Sequence, residues 1–335
     1  VNNSEDTQKV MDEIISYFSK YETSLETDTR IYNAYKEIKT KYTHSLDVEQ
    51  NKVLDDSILE FKLSGADLND TDKAKLEVIN EKLSKLSKTF EQNIIDSNKS
   101  YELIIDDYED VKELPKSDID SATFTKDGKT FYRFSLQMPS YIAYMTYGSN
   151  REKREELYKA YSTRASKNKD VIDELLSLRE QKAKLFNFEN YASYSNAYKD
   201  AKDIETVEGF LNNLSSKVIN KAKEEFKSLE HFANHKLESY DSAYYAEKLR
   251  KQNFDIDEEF YKEYFEKSKV LTGVLSFLEK SFNVEIKKVT DIVWDEKVEV
   301  FDFSKDKVVF GRIYFDLEAR EGKRDGARSE ERRVG

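Results

Sequence analysis

Nine glycines and two prolines in 335 residues leave this chain almost without the residues that interrupt a helix. Ordinary usage is about 7% glycine and 5% proline, so long helices can run unbroken here, and most of the chain is written in apolar spacings of three and four. Val10, Ile14, Phe18, Tyr21 and Leu25 follow Ser4, a residue type that caps helices by accepting from the first free N–H groups. A short helix around Ile31, Tyr35 and Ile38 comes next, and a third covers about Val48 to Phe61, ending near Leu63-Ser64-Gly65. The clearest helix starts at a cap on Asn69 or Asp70 and carries Leu76, Ile79, Leu83, Leu86, Phe90 and Ile94. Ordering such a helix costs about 1–2 kcal/mol per residue, so its apolar face needs neighbours. Residues 1–99 are therefore expected to form an N-terminal helical bundle.

Residues 100–139 read as a small β-containing insert. Tyr101 to Ile105 and the run Phe131, Phe134, Leu136 lack helical spacing, the turn dipeptide Asp127-Gly128 stands between them, and Pro115 and Pro139 mark the seams. Residues 140–283 return to helices. Ser149-Asn150-Arg151-Glu152 has the Ser-x-x-Glu form of a capping box. A helix follows from Val171, and a long one from Asp203 is expected to present Val207, Phe210, Leu214, Val218 and Phe226 to the interior. Leu271, Val274, Leu275 and Leu278 share one face of a later helix.

Residues 284–327 form the one long β-type passage. Val298, Val300 and Phe303, then Val309, Ile313, Phe315 and Leu317, lie in two runs separated by Ser304-Lys305-Asp306-Lys307, a break of hairpin length. The second run leads into Arg320-Glu321-Gly322-Lys323-Arg324-Asp325-Gly326-Ala327. Two glycines in five residues allow a sharp turn and a close approach to another chain, so the loop with Gly322, Asp325, Gly326 and Ala327 is expected to lie beside a site.

Composition narrows the function. A formal charge of −12 with no basic aromatic stripe argues against a nucleic-acid partner. Without cysteine there is no disulfide, thiolate metal site or thiol nucleophile. Apolar runs are only a few residues long, so none spans a bilayer. The chain opens Val-Asn-Asn-Ser without methionine. No phosphate loop, dinucleotide fingerprint or G-x-S-x-G is present.

A hydrolytic zinc needs three protein ligands and a bound water, whose pKa it lowers to about 7. The three histidines are His44, His231 and His235. His44 stands alone. His231 and His235, four apart in a helical stretch, with Glu238 following, could offer a two-histidine, one-carboxylate face. Phe232 stands where H-E-x-x-H requires its glutamate, however, and two solvent-facing histidines near a helix C-terminus is the stronger reading. The acidic run Asp106-Asp107-Tyr108-Glu109-Asp110 lacks EF-hand spacing and reads as a solvated face.

Three stretches carry a family resemblance. FGRIYFDLEAREGKRDGA at 310–327 resembles the passage along the substrate cleft of the thimet oligopeptidase, oligopeptidase A and peptidyl-dipeptidase family of zinc metallopeptidases, with Asp325 where that family generally has a small residue. NREKREELYKAYSTRAS at 150–166, with LREQKAKLFNFENYA at 178–192, is similar to the family's paired helices, and AYYAEKLR at 243–250 to its A-Y-Y-x-E-K-L-R. The resemblance implies a mainly α, neurolysin-like helical channel-wall fragment with a small β insert and a C-terminal β-hairpin. It further implies short peptide substrates, zinc in the full-length enzyme, no membrane partner, a monomeric state when complete and a cytoplasmic location. The family's H-E-x-x-H helix follows the Gly-Ala pair, so the expectation is a fragment that binds no catalytic zinc and is inactive alone. Residues 328–335, RSEERRVG, are what the opening of a common sequencing adapter translates to, and are expected to be an artefact. A noncatalytic helical binding or scaffold protein is the alternative from composition and periodicity.

Overall fold

The computed structural model describes residues 4–201, 203–254, 260–261, 263–320 and 323. Helix α1 (Glu5–Glu26) starts at Ser4, whose Oγ accepts Thr7 N at 3.2 Å while Thr7 Oγ1 accepts Ser4 N at 2.8 Å. Helix α2 (Thr29–Tyr42) is capped by Asp28. Helix α3 (Val48–Ser64) opens on a reciprocal Asp47–Gln50 cap and closes on Gly65 at φ 103°. A β-carbon on Gly65 would lie 2.8 Å from Leu76 Cδ2, so both backbone hand and space require glycine there. Helix α4 (Asp70–Lys99) is capped by Asn69, whose Oδ1 accepts Asp72 N at 2.9 Å.

The chain divides into two compact units. Ser4–Ile94 and Ala165–Glu224 make one, adding α8 (Asn168–Leu185), α9 (Tyr191–Asn196) and most of α10 (Ile204–Ala233). Leu76, Ile79, Leu175 and Leu178 are buried in it, and polar side chains tie its helices together. Asn80 donates to Thr23 Oγ1 at 3.0 Å and accepts Lys182 Nζ at 2.9 Å. Buried Asn168 donates to Phe90 O at 3.0 Å and accepts Asn93 Nδ2 at 2.8 Å, which offsets its desolvation.

The other unit holds Ile95–Arg164 and the described residues from Glu225 onward. Strands β1 (Glu102–Ile105), β2 (Thr123–Lys126) and β3 (Lys129–Ser135) form an antiparallel sheet of order β1-β3-β2, with the short helix α5 (Lys116–Ala122) before β2. Leu103 lies opposite Phe134 and Ile105 opposite Tyr132, so the alternating pleat drives all four into one core. Helices α6 (Met138–Tyr147) and α7 (Arg151–Ser162) add Tyr144 and Leu157 to that core. Helices α11 (Ser242–Phe254) and α12 (Lys267–Phe282) then lead to β4 (Glu285–Val289), β5 (Glu299–Lys305) and β6 (Val308–Phe315), antiparallel in the order β4-β5-β6. The hairpin read at 298–317 is thus β5–β6 with β4 added. Its turn residues Asp306 and Lys307 both take positive φ, 52° and 65°, the hand a two-residue hairpin needs. The fold is mainly α with two small antiparallel sheets.

Three local expectations change. The cap of α7 is Asn150, whose Oδ1 accepts Lys153 N at 3.1 Å, because the Ser149 hydroxyl is spent on Glu109 O at 2.9 Å. The α1 stripe is largely exposed, with Phe18 at 59% and Tyr21 at 62%, while Ser19 and Thr23 face inward to Ser84 and Asn80. The α10 stripe is exposed as well, Phe210 at 66% and Val218 at 50%, because no described element covers it; only Leu229 of that helix is buried.

Candidate peptide-binding edge

The sheet order β4-β5-β6 leaves β6 on an edge, and among the described residues no strand pairs with its far side. An edge strand offers a row of main-chain N–H and C=O groups to an incoming extended chain. Val308, Val309, Phe310 and Ile313 are exposed along it.

Arg312 and Tyr314 share one face of β6, and that face is held by acids. Arg312 lies opposite Asp302 in register and donates to both its carboxylate oxygens, with Nη2 to Oδ2 at 2.9 Å, and to Asp291 Oδ2 at 2.6 Å. The Tyr314 hydroxyl donates to the same Asp291 oxygen. That hydroxyl, then the Ile292 N–H and Arg312, hold the Asp291 carboxyl at about 2. Asp302, and after it Asp291, push the Arg312 pKa above its ordinary value. Trp294 stacks on Tyr314 with ring centroids 5.6 Å apart and sends its indole N–H to Asp316 Oδ2 at 2.9 Å.

Asp316, the residue after β6, gathers the chain that follows. Arg320 donates to it from Nη1 at 2.6 Å and Nη2 at 2.8 Å, and Lys323 Nζ at 3.0 Å. The Arg320 guanidinium is the largest influence; it outweighs the cost of burial and, with Trp294 and Lys323, holds this carboxyl far below the usual range. Lys323 Nζ also reaches the carbonyls of Asp316 and Glu318, each at 2.8 Å. Gln137 Nε2, from the corner between β3 and α6, donates to Arg320 O at 2.8 Å.

Of the loop residues named from sequence, Gly322, Asp325, Gly326 and Ala327 lie outside the described residues. The described stretch leading into them, through Arg320 and Lys323, is the part tied to Asp316. Sequence reasoning missed this hub. Its only signal is the close spacing of Asp316, Arg320 and Lys323, which is indistinguishable on paper from a solvated charge run.

The histidine pair does not make a metal face. Helix α10 ends at Ala233, Asn234 takes φ 58°, and His235 therefore leaves the helix instead of sitting one turn above His231. Both His235 ring nitrogens are engaged, Nδ1 with Lys236 O at 2.7 Å and Nε2 with the Tyr245 hydroxyl at 3.0 Å. Glu230, His231, Asn234, His235 and Lys236 line an open depression of about 400 Å³. Among the described residues no three His, Cys, Asp or Glu side chains come together as a metal site, and the donor set at His231 and His235 does not fit zinc. His44 sits in a short exposed turn, Thr43–Ser45. In the acidic run, Asp107 caps the Glu109 N–H and Asp110 accepts Asn150 Nδ2, so both carboxylates serve local structure.

Two of the family-like stretches meet in the structure. Arg154 of α7 is buried. It donates to Gly148 O at 2.7 Å, Ser149 O and Tyr240 O at 3.2 Å each, and Asp241 Oδ1 at 3.1 Å, and it lies 4.1 Å from the centre of the Tyr244 ring on α11. Arg151 completes the pairing of Asp241, with Nη2 to Oδ2 at 2.8 Å.

The description Peptidase family M3 matches residues 144–333. Oligopeptidase A of Salmonella typhimurium is 31% identical over 98% of this chain and 51% of its own length. Oligopeptidase A of Escherichia coli is 30% identical with the same coverages, and dipeptidyl carboxypeptidase of Escherichia coli is 30% identical over 84% of this chain and 44% of its own. The chain spans about half the length of these relatives. With more than half of its residues matched by that family, this chain belongs to peptidase family M3.

Proposed function

We propose that this chain is part of a zinc-dependent oligopeptidase and supplies the surface along which a short peptide is held for hydrolysis. The observation that carries the reading is the open edge of β6, which lies inside the stretch matched to Peptidase family M3. An edge strand binds through main-chain groups that every peptide possesses, which suits an enzyme acting on short peptides of many sequences. The names of the relatives, oligopeptidase A among them, point to the same substrate class. Zinc and its water belong to the full-length enzyme in this reading, since the described histidines do not fit the metal, and this chain alone neither holds catalytic zinc nor cleaves peptides.

Two measurements test it. A fluorescein-labelled, end-blocked octapeptide should bind the chain, and the same peptide N-methylated at alternate residues should not, because the methyl groups remove the donors a strand edge pairs with. Equal binding of both sinks the edge reading. One zinc per chain together with chelator-sensitive cleavage of a quenched fluorescent peptide sinks the claim of inactivity. The exposed apolar stripe of α10 favours a second reading, a helical binding module, and selective capture of an amphipathic helix by that face would support it.

A further inference from the structure

We propose that Asp316 is the positioning residue of the peptide-binding edge: its carboxylate fixes Trp294 against Tyr314 on one face of β6 and pins the chain as it leaves that strand. The inference rests on the reading of β6 given above. No helix or strand holds the described residues 316–320 and 323, yet Arg320 and Lys323 both turn to a single side chain. Asp316 accepts four hydrogen bonds, one from the Trp294 indole, two from Arg320 and one from Lys323. All four are charge-assisted, the stronger class of hydrogen bond, and in three of them both partners are charged. Lys323 then crosses back to the carbonyls of Asp316 and Glu318, closing the turn on itself.

The consequence reaches the strand through Trp294. An indole N–H is a donor only, so a half-buried tryptophan takes its orientation from whatever acceptor it finds. Here that acceptor is Asp316, and the ring so oriented stacks on Tyr314, whose hydroxyl is bound in turn to Asp291. One carboxylate thus sets the aromatic face and the exit of the edge strand together. Asparagine cannot replace it. Its amide offers one acceptor oxygen and points an NH2 group at donors, where the carboxylate presents two acceptor oxygens and a charge that matches Arg320 and Lys323.

The test uses the 335-residue chain, in which Trp294 is the only tryptophan and so reports alone. Asp316→Asn should shift Trp294 emission to the red, raise its quenching by acrylamide, leave the far-UV spectrum unchanged and weaken octapeptide binding about tenfold. Asp316→Glu should recover most of the affinity, and Trp294→Phe should lose part of it. Asp316→Asn affinity within about twofold of the unaltered chain overturns the proposal. If Asp316→Asn does not fold, Trp294→Phe decides, and unchanged affinity there overturns it. If the unaltered chain binds the octapeptide no better than its N-methylated form, the edge reading fails separately. Trp294 emission then decides the positioning role: a red shift in Asp316→Asn upholds it and no change overturns it.

Discussion

The Arg154 guanidinium and the Asp241 carboxylate meet at 3.1 Å with 1% and 0% of their side chains exposed. Eighty-seven positions separate them in the chain. Asp241 takes two arginines and the Glu238 N–H, while Arg154 is shared with three carbonyls, so neither charge is left without a partner. Asp241→Ala should therefore cost about 3–5 kcal/mol in denaturant unfolding, because it strands a buried cation. Arg154→Lys should also be costly, since an ammonium lacks the planar fork that reaches both the carbonyls and the carboxylate.

Asp291 makes the second sheet sensitive to acid. Its carboxyl sits at about 2, lowered first by Tyr314, then by the Ile292 N–H and Arg312. A group depressed on folding stabilises above its unfolded value of about 3.9, and that contribution disappears as pH falls through the folded value. Trp294 emission should hold from neutral pH to about 4 and change on approach to about 2. In Asp291→Asn, which has no carboxylate to protonate at that position, this component of the acid transition should be missing.

Gly65 and Gly128 both take positive φ but differ in surroundings. A β-carbon on Gly65 meets Leu76 and Leu68, whereas nothing lies within 4 Å of one on Gly128. Gly65→Ala should lower stability by about 1–3 kcal/mol, and Gly128→Asn should stay within about 0.5 kcal/mol. Thermal melts of the two variants check the contrast.

The α10 stripe gives a prediction opposite to its periodicity. Leu214 is 48% exposed and Leu76 is fully buried. Leu214→Ser should change stability by less than about 0.5 kcal/mol, while Leu76→Ala should cost about 2–5 kcal/mol. Comparable losses would mean that α10 is covered in solution.

Gly326 belongs to the candidate substrate-cleft loop at 322–327. Its substitution by valine in a full-length enzyme should raise KM or lower kcat, because a side chain there blocks the close approach that the two glycines allow. Unchanged kinetics would remove the candidate loop from the substrate cleft.

Local chemistry made much of the fold legible. Ser4, Asn69 and Gly65 start and stop helices through bonds within a few residues, and Asp127-Gly128 and Asp306-Lys307 make turns the same way. Such signals need no knowledge of distant chain, and the family-like stretches at 150–166, 178–192, 243–250 and 310–327 read equally well as strings. Other features depend on what lies across from a side chain. Periodicity gave the α1 and α10 stripes a face without showing whether anything would cover it, and Ser19 and Thr23 are the residues of α1 that turn inward. The spacing of His231 and His235 assumed a helix that ends at Ala233. Likewise Arg154 with Asp241, and Trp294 with Asp316, are pairs 87 and 22 positions apart. Helix caps and turns are short-range and so are written in the sequence, whereas burial and long-range charge pairing exist only once the chain has folded back on itself.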